Sequence, residues 1–317
     1  MKCLVTGGLG YIGSHLAVEL AINQGYEVTI VDDLSNSLVE RNILDLKFIR
    51  MDITDEMAVS SLFNKSKFDI VFHLAAKKSV EESMINPEQY HLTNVVGTEN
   101  LLKYSRLHGV KQFIFASTCA VYGEISSSKE YVSENDNLSP VNVYGETKLL
   151  AEEAVKAYSH FFQICIFRFF NVIGSSNLKM IDSDSGSIVS NLLKSAKDSK
   201  SFRIFGQDYP TRDGTCIRDY IDVRDICSAM VRASTYLDLN RKISDTFNIG
   251  SENGTTVLEM FNEFSNQVNR EMHYEFDVKR SGDIPVILSD TSRIKTELNF
   301  YPAHTLKDSL STFSNLL

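Results

Sequence analysis

Short apolar runs separated by longer amphipathic stretches set the rhythm of the first half of the chain. Residues 2–6 (KCLVT), 27–31 (EVTIV), 47–51 (KFIRM), 69–74 (DIVFHL), 111–116 (KQFIFA) and 164–169 (ICIFRF) are compact and mostly apolar. Runs of this kind are buried on both faces, as the strands of a parallel sheet are. Segments 11–23, 94–108 and 145–161 repeat their apolar positions at helical spacing and are long enough to be crossover helices. The pattern predicts an α/β fold with a doubly wound parallel sheet. Past about residue 171 the rhythm breaks, and a polar stretch over 175–187 leads into shorter elements, as expected of a smaller C-terminal α/β lobe. The stretch "DVRDICSAMVRASTYL" and the later "DTFNIG" predict a helix and a strand that return to the first sheet. The expected division is therefore 1–171, with 222–250 returning to it, and 172–317.

Composition narrows the class. The chain has 317 residues, 43% hydrophobic and 23% charged, the balance of an ordinary globular protein. A net charge of −9 without a Lys/Arg cluster argues against binding to nucleic acid or an acidic membrane, so an anionic ligand would need local cations. The cysteines Cys3, Cys119, Cys165, Cys216 and Cys227 form no CxxC pair and no metal-ligand spacing, so they read as reduced, mostly buried thiols, and no metal is expected. The N-terminus reaches glycines too early for a signal peptide, and no run approaches the ~18 apolar residues of a membrane span. A soluble cytoplasmic protein is expected.

The stretch "VTGGLGYIGSH" follows the first predicted strand and opens the first helix, with Gly7, Gly8, Gly10 and Gly13 at dinucleotide-loop spacing. Glycine there permits a tight turn and lets backbone N–H groups approach a pyrophosphate at a helix N-terminus. The next strand ends at Asp32, about 20 residues on, where a carboxylate accepts ribose hydroxyls and repels a 2′-phosphate. NAD is thus favoured over NADP in a Rossmann-like domain, the plain alternative being an aspartate that caps a turn. Asp52 and Ile53 end the third strand, and Leu74, Ala75 and Ala76 end the fourth. Ordinary packing explains any one of these, but together with the glycine loop they outline a cofactor wall.

The tetrapeptide VYGE occurs twice, at 121–124 and 143–146. In the second copy Tyr144 and Lys148 sit at i and i+4, on one face of a predicted helix. A cation there favours the phenolate of a group whose free pKa is about 10, which would make Tyr144 a general base toward a sugar hydroxyl. Such a pair is common by chance at a solvated helix start. The dinucleotide loop and the hydroxyl-rich strand end "FASTCAVYG" favour the catalytic reading. Tyr122, without a cation at i+4, is expected to shape the pocket floor.

These residues, together with "HLAAKKSVEES", "NVVGTENLL", "RFFNVIG", "FGQDYPTRDGTCIRDYIDV" and "RSGDIP", resemble the extended short-chain dehydrogenase/reductases over nearly the whole chain. Within them the chain is similar to the UDP-glucose 4-epimerase family. Related dehydratases carry Thr-Asp-Glu where this chain has Thr118-Cys119-Ala120, with no acid for dehydration. The resemblance implies Tyr144 as base, Lys148 as its charged partner and ribose ligand, and Thr118 as the hydroxyl beside the sugar O4. It further implies Gly7, Gly10, Tyr11, Ile12, Gly13, Asp32, Asn36, Asp52, Ile53, Leu74, Ala75, Lys78, Asn94 and Phe170 around NAD. For the UDP-hexose it implies Asn171, Asn191, Leu192, Phe205, Arg218, Tyr220, Arg280, Asp283 and Ile287. The two arginines suit a pyrophosphate by their forked donors, although each could instead pair with Asp219 or Asp283. The implied reaction is an isomerisation: UDP-glucose and UDP-galactose interconvert through a 4-keto sugar. UDP-N-acetylglucosamine is a second substrate reading. Another UDP-sugar reaction, or an inactive NAD-binding member, is a further one. The resemblance also implies a homodimer through the helices at 94–108 and after Tyr144. Lys77, Asp222 and Ile287 depart from the family pattern, and Ile287 bears on whether an N-acetyl group fits.

Overall fold

The computed structural model describes residues 1–123, 129–182, 186–240, 244–280 and 283–314, with side chains of α8 to 237. Glu124 of the first VYGE copy, residues 183–185 of the polar stretch and Ser281-Gly282 of "RSGDIP" lie outside the described residues. The chain runs β1 (Lys2–Thr6), α1 (Tyr11–Ile22), β2 (Glu27–Asp32), β3 (Lys47–Arg50), α2 (Glu56–Lys65) and β4 (Ile70–His73). It continues through α3 (Val80–Ile85), α4 (Pro87–His91), α5 (Gly97–Leu107), β5 (Gln112–Thr118), β6 (Tyr131–Val132), α6 (Val143–Ala157), β7 (Gln163–Phe169) and β8 (Asn171–Ile173). Then follow α7 (Ile188–Asp198), β9 (Phe202–Phe205), β10 (Ile217–Asp222), α8 (Val223–Asn240) and β11 (Ser244–Ile249). The last elements are β12 (Gly254–Thr256), α9 (Val257–Val268), β13 (Tyr274–Asp277), β14 (Val286–Ser289), α10 (Ser292–Leu298) and α11 (Leu306–Ser311).

The main sheet has the order β11-β7-β5-β4-β1-β2-β3, and its strands pair in parallel. Alternation along each strand feeds two cores. Cys3, Val5, Phe72, Ile114, Cys165 and Phe167 face one side, where α1 and α8 pack; Leu4, Val71, Phe113, Phe115, Ile164 and Ile166 face the other, under α2, α5 and α6. Strand order reverses between β1 and β4, and a parallel sheet opens a crevice beyond the carboxyl ends of its strands at such a point. The predicted return is observed as α8 and β11, which pairs with β7.

The smaller part is built on a sheet of order β12-β10-β14-β6, with β8 beside β10, and a separate β13-β9 pair. Its strand β6 comes from residues 131–132, and α10 packs back against β11, so the chain crosses between the two parts more often than a single division implies. The helix expected over 94–108 is regular only from Gly97, because Leu92–Val96 form a π-type turn. That wider turn carries the buried Asn94 to the backbone of Lys77, accepting from its N–H at 2.8 Å and donating to its carbonyl at 3.0 Å.

The side chain of Leu192 turns away from solvent. It is 0% exposed and sits in the core of the smaller part with Val189, Ile204, Met260 and Phe264. Apolar burial on an amphipathic helix claims this side chain, so truncation should leave a cavity. Leu192→Ala is expected to cost about 2–5 kcal/mol of stability, measured by chemical denaturation of parent and variant.

Candidate active site

The glycine loop is shaped by close backbone contact. Gly7 has φ +67°, and a Cβ there would lie 2.6 Å from the Ala75 nitrogen; one on Gly13 would lie 2.1 Å from the Gly7 carbonyl oxygen. Only glycine tolerates both the left-handed turn and the approach of β4's end. Helix α1 begins at Gly10 without a side-chain cap and without an acidic residue in its first turn. Its first N–H groups have no partner inside the helix and present a partial positive charge to the crevice. Asp32, 8% exposed, accepts from the Leu9 N–H at 3.0 Å, the Leu34 N–H at 3.0 Å and the Ser37 hydroxyl at 2.5 Å. A carboxylate has about four acceptor sites, so the same group can still take a ribose hydroxyl.

Other residues of this wall occupy different settings. Asn36 and Asp52 are exposed, Ile53 is buried against Gly97, and Leu74 and Ala75 are half-buried at the end of β4. The phenol of Tyr11 donates to the Gly174 carbonyl at 2.5 Å, joining α1 to the segment after β8. His15 Nε2 lies 3.1 Å from the Ser175 hydroxyl, and Arg41 donates to the Ile181 carbonyl at 2.6 Å. Burial pushes His15 down to about 4, so it is neutral here. Lys78 pairs with Asp182 at 3.4 Å, and Phe170 is buried with Tyr122 and Ile287.

Thr118 ends β5, and Tyr144 and Lys148 sit in the first two turns of α6, which packs on that strand. Asn142 caps α6 by accepting from the Gly145 N–H at 2.8 Å, which sets the first turn carrying Tyr144. Burial raises the Tyr144 phenol to about 12, while a hydrogen bond with Thr118 pulls it down and Cys119 pushes it up. Lys148 does not figure among these influences. Lys148 is 3% exposed, with its ammonium 4.1 Å from the centre of the Phe115 ring. Burial lowers it to about 7, and Glu152 opposes that shift. A lysine so poised is only partly charged at neutral pH, so its pull on the phenol depends on what else enters the crevice.

Toward the smaller part, Arg218 on β10 donates to the Ile284 carbonyl at 2.6 Å and pairs with Asp283 at 3.4 Å. Asp219 is not its partner: that buried carboxylate accepts from Ser251 and Ser289. Arg280 lies 3.9 Å over the Phe205 ring, and its Nε is 4.0 Å from Glu81 of α3. Asn171 and Asn191 are half-buried, whereas Tyr220, 6% exposed, belongs to the same core as Leu192. Tyr122 is a further correction. It is 2% exposed, its hydroxyl donates to Asn248 Oδ1 at 2.6 Å, and Arg168 Nη1 donates to it at 3.0 Å. It therefore belongs to a buried polar network and not to a pocket floor.

Comparison with known proteins bears on this crevice directly. The model of the NAD dependent epimerase/dehydratase family matches residues 3–250. A UDP-glucose 4-epimerase of Bacillus subtilis is 36% identical, over 97% of this chain and 94% of that protein. The chain belongs to the NAD dependent epimerase/dehydratase family. A structure of UDP-glucose-4-epimerase from Stenotrophomonas maltophila with bound NAD and formylated UDP-arabinopyranose superposes with TM-score 0.92 at 34% identity, covering 99% of this chain and 97% of that one. The UDP-Glc/GlcNAc 4-epimerase of Campylobacter jejuni superposes with TM-score 0.83 at 35% identity, covering 99% and 98%.

NAD is the cofactor of this epimerase/dehydratase family member, and the crevice fits it. The cradle at Gly7 and Gly13 is one that a Cβ would fill, the N-terminus of α1 is uncapped, and Asp32 stands at the ribose end. Glu152, Arg168, Ser117 and Asn248 were not picked out from sequence, although Tyr144, Lys148 and Glu152 lie at successive i+4 steps and that spacing was a usable signal. Asp32→Asn keeps the shape and removes the charge. We expect NADH affinity to fall about ten-fold and discrimination against NADPH to shrink, both read by fluorescence titration, since a hydrogen bond to a charged group contributes about 1.5–3 kcal/mol.

Proposed function

We propose that this protein is an isomerase that interconverts UDP-glucose and UDP-galactose by inverting C4 of the hexose. The observation that carries the reading is the meeting of Tyr144, Thr118 and Lys148 beside the dinucleotide crevice, with no carboxylic acid in Thr118-Cys119-Ala120 to drive dehydration. NAD, when bound, supplies a hydride acceptor that becomes the donor in the return step, so no net oxidation results. Tyr144 takes the O4 proton as the 4-keto sugar forms and returns it when the alcohol is regenerated. The Thr118 hydroxyl holds O4 toward Tyr144. Lys148, charged, favours the phenolate and holds the nicotinamide ribose. Arg218 and Arg280 bind the pyrophosphate, Arg218 exchanging Asp283 for it, and Phe205 supports the uracil end. With binding energy concentrated on the UDP, the keto sugar can present its other face.

A second substrate reading rests on Ile287. That side chain is 7% exposed and packs with Val121, Tyr122, Val132 and Phe170, so it adds no bulk of tyrosine size beside the hexose and favours acceptance of an N-acetyl group. Among the described residues no helix is long and apolar enough to cross a membrane, and all five cysteines are unpaired. These features support work in a reducing cytoplasm on a small-molecule substrate.

Proton NMR of the purified protein incubated separately with UDP-galactose, UDP-glucose and UDP-N-acetylglucosamine reads C4 inversion directly. Tyr144→Phe should retain NAD and lose about 10²–10⁴-fold in kcat. Absence of turnover of any UDP-hexose by the NAD-loaded parent would sink the enzymatic reading. The homodimer reading rests on apolar side chains left open along α5 and α6, among them Leu107 at 63% and Leu150 at 37% exposure. Light scattering should report a dimer for the parent and a monomer for Leu150→Glu; a monomeric parent refutes it.

A further inference from the structure

Polar side chains from several elements close on one carboxylate below the turn that carries Lys148. Glu152, one turn further along α6, is 0% exposed. Arg168 of β7, 1% exposed, grips it with Nε at 2.9 Å from Oε1 and Nη2 at 2.7 Å from Oε2. Ser117 of β5 donates to Oε1 at 2.6 Å, and Lys156 reaches Oε2 at 3.2 Å from the edge. Through Arg168 the network continues to Tyr122 and then to Asn248 of β11.

Stability does not explain the arrangement, because a buried ion pair contributes no more than a well-packed apolar pair of the same volume. Its location does. Ser117 immediately precedes Thr118 on the strand, and Glu152 follows Lys148 by one helical turn. The carboxylate is therefore bonded to the chain on both sides of the proposed proton-transfer group. We infer that Glu152 is a positioning residue for the reaction: it locks the Thr118 strand end to the Lys148 turn and keeps a fixed negative charge beneath the lysine. Burial pushes the Glu152 carboxyl up, but Arg168 and Ser117 pull it further down, so it is charged at neutral pH.

Among the described residues, Glu152 on α6, His73 on β4 and, behind Glu152, Arg168 on β7 are titratable groups coupled to Lys148, and Tyr144 lies one turn before it on α6. His73 is held neutral by burial and by the lysine itself. Glu82 of α3 and Tyr90 of α4, helices that also pack on α6, are bonded to each other at 3.1 Å. Among the described residues Glu152 is the charge that acts on Lys148, and it acts upward.

This inference deepens the epimerase reading and rests on it, so its test has two readouts on the NAD-loaded protein. The first is the pH profile of kcat/KM with UDP-galactose. The second is the Lys148 titration itself, followed by NMR of Cε-labelled lysine and independent of turnover. Removing the negative charge disfavours the ammonium, so Glu152→Gln should move both the alkaline limb and the Lys148 midpoint to lower pH by about one unit. Glu152→Asp, which keeps the charge, should return both toward the parent. If the unpaired Arg168 prevents Glu152→Gln from folding, the double variant Glu152→Gln/Arg168→Met leaves no buried lone charge and should show the same shift. A folded variant, single or double, with the parent's Lys148 midpoint overturns the inference. An inactive parent overturns the epimerase reading alone, since the NMR midpoint still decides this one.

Discussion

Backbone lies directly against backbone where β1 and β4 end, and the rest of the molecule is arranged around that contact. The φ of +67° at Gly7 turns the chain so sharply that the end of β4 comes within reach of its missing Cβ, and Gly13 brings α1 down onto the same loop. β1 and β4 are the neighbours between which the order of the sheet reverses, and they stay paired to their last residues. The uncapped end of α1 and Asp32 lie together on the β2 side of this loop, Asp32 accepting from the Leu9 N–H at 3.0 Å, so positive potential and a fixed acceptor stand next to each other in the crevice. The smaller part is pinned across it by Tyr11, His15 and Arg41, which reach carbonyls and a hydroxyl of segment 174–181.

Buried charge is distributed unequally about this crevice. Arg168 and Glu152 are paired and multiply hydrogen-bonded, so each stays ionised despite burial. Lys148 has only an aromatic face and a carboxylate one turn away, and burial accordingly drops it to about 7. Tyr144 moves the other way, to about 12, because its charged form is the one burial penalises. Burial thus favours the neutral form of both groups, the phenol strongly and the lysine in part.

Much of this was legible in the chain. Runs of β-branched and aromatic residues marked β1, β2, β4, β5 and β7 to within a residue or two, because strands buried on both faces leave no polar alternation to mislead. The glycine loop, Asp32, and the Tyr144–Lys148 spacing were legible for a related reason: each depends on local geometry over one turn or one strand end. The burial of Leu192 and Tyr220 was not legible, because position in a motif does not say which face of a helix or strand turns inward. Tyr122 was misjudged because its partners, Asn248 and Arg168, lie 126 and 46 residues away.

By itself, then, the sequence determined the parallel sheet, the dinucleotide loop and the placement of Tyr144 and Lys148 on one helix face, since periodicity, backbone freedom and i+4 spacing are properties of short stretches. Tertiary structure alone decided the electrostatics of that pair. The depth of Lys148, the commitment of Tyr122 to a buried network and the clamp of Arg168 and Ser117 on Glu152 arise where β5, α6, β7 and β11 come together. Burial sets the energy of a charge through everything packed around it, and those neighbours are assembled from distant parts of the chain.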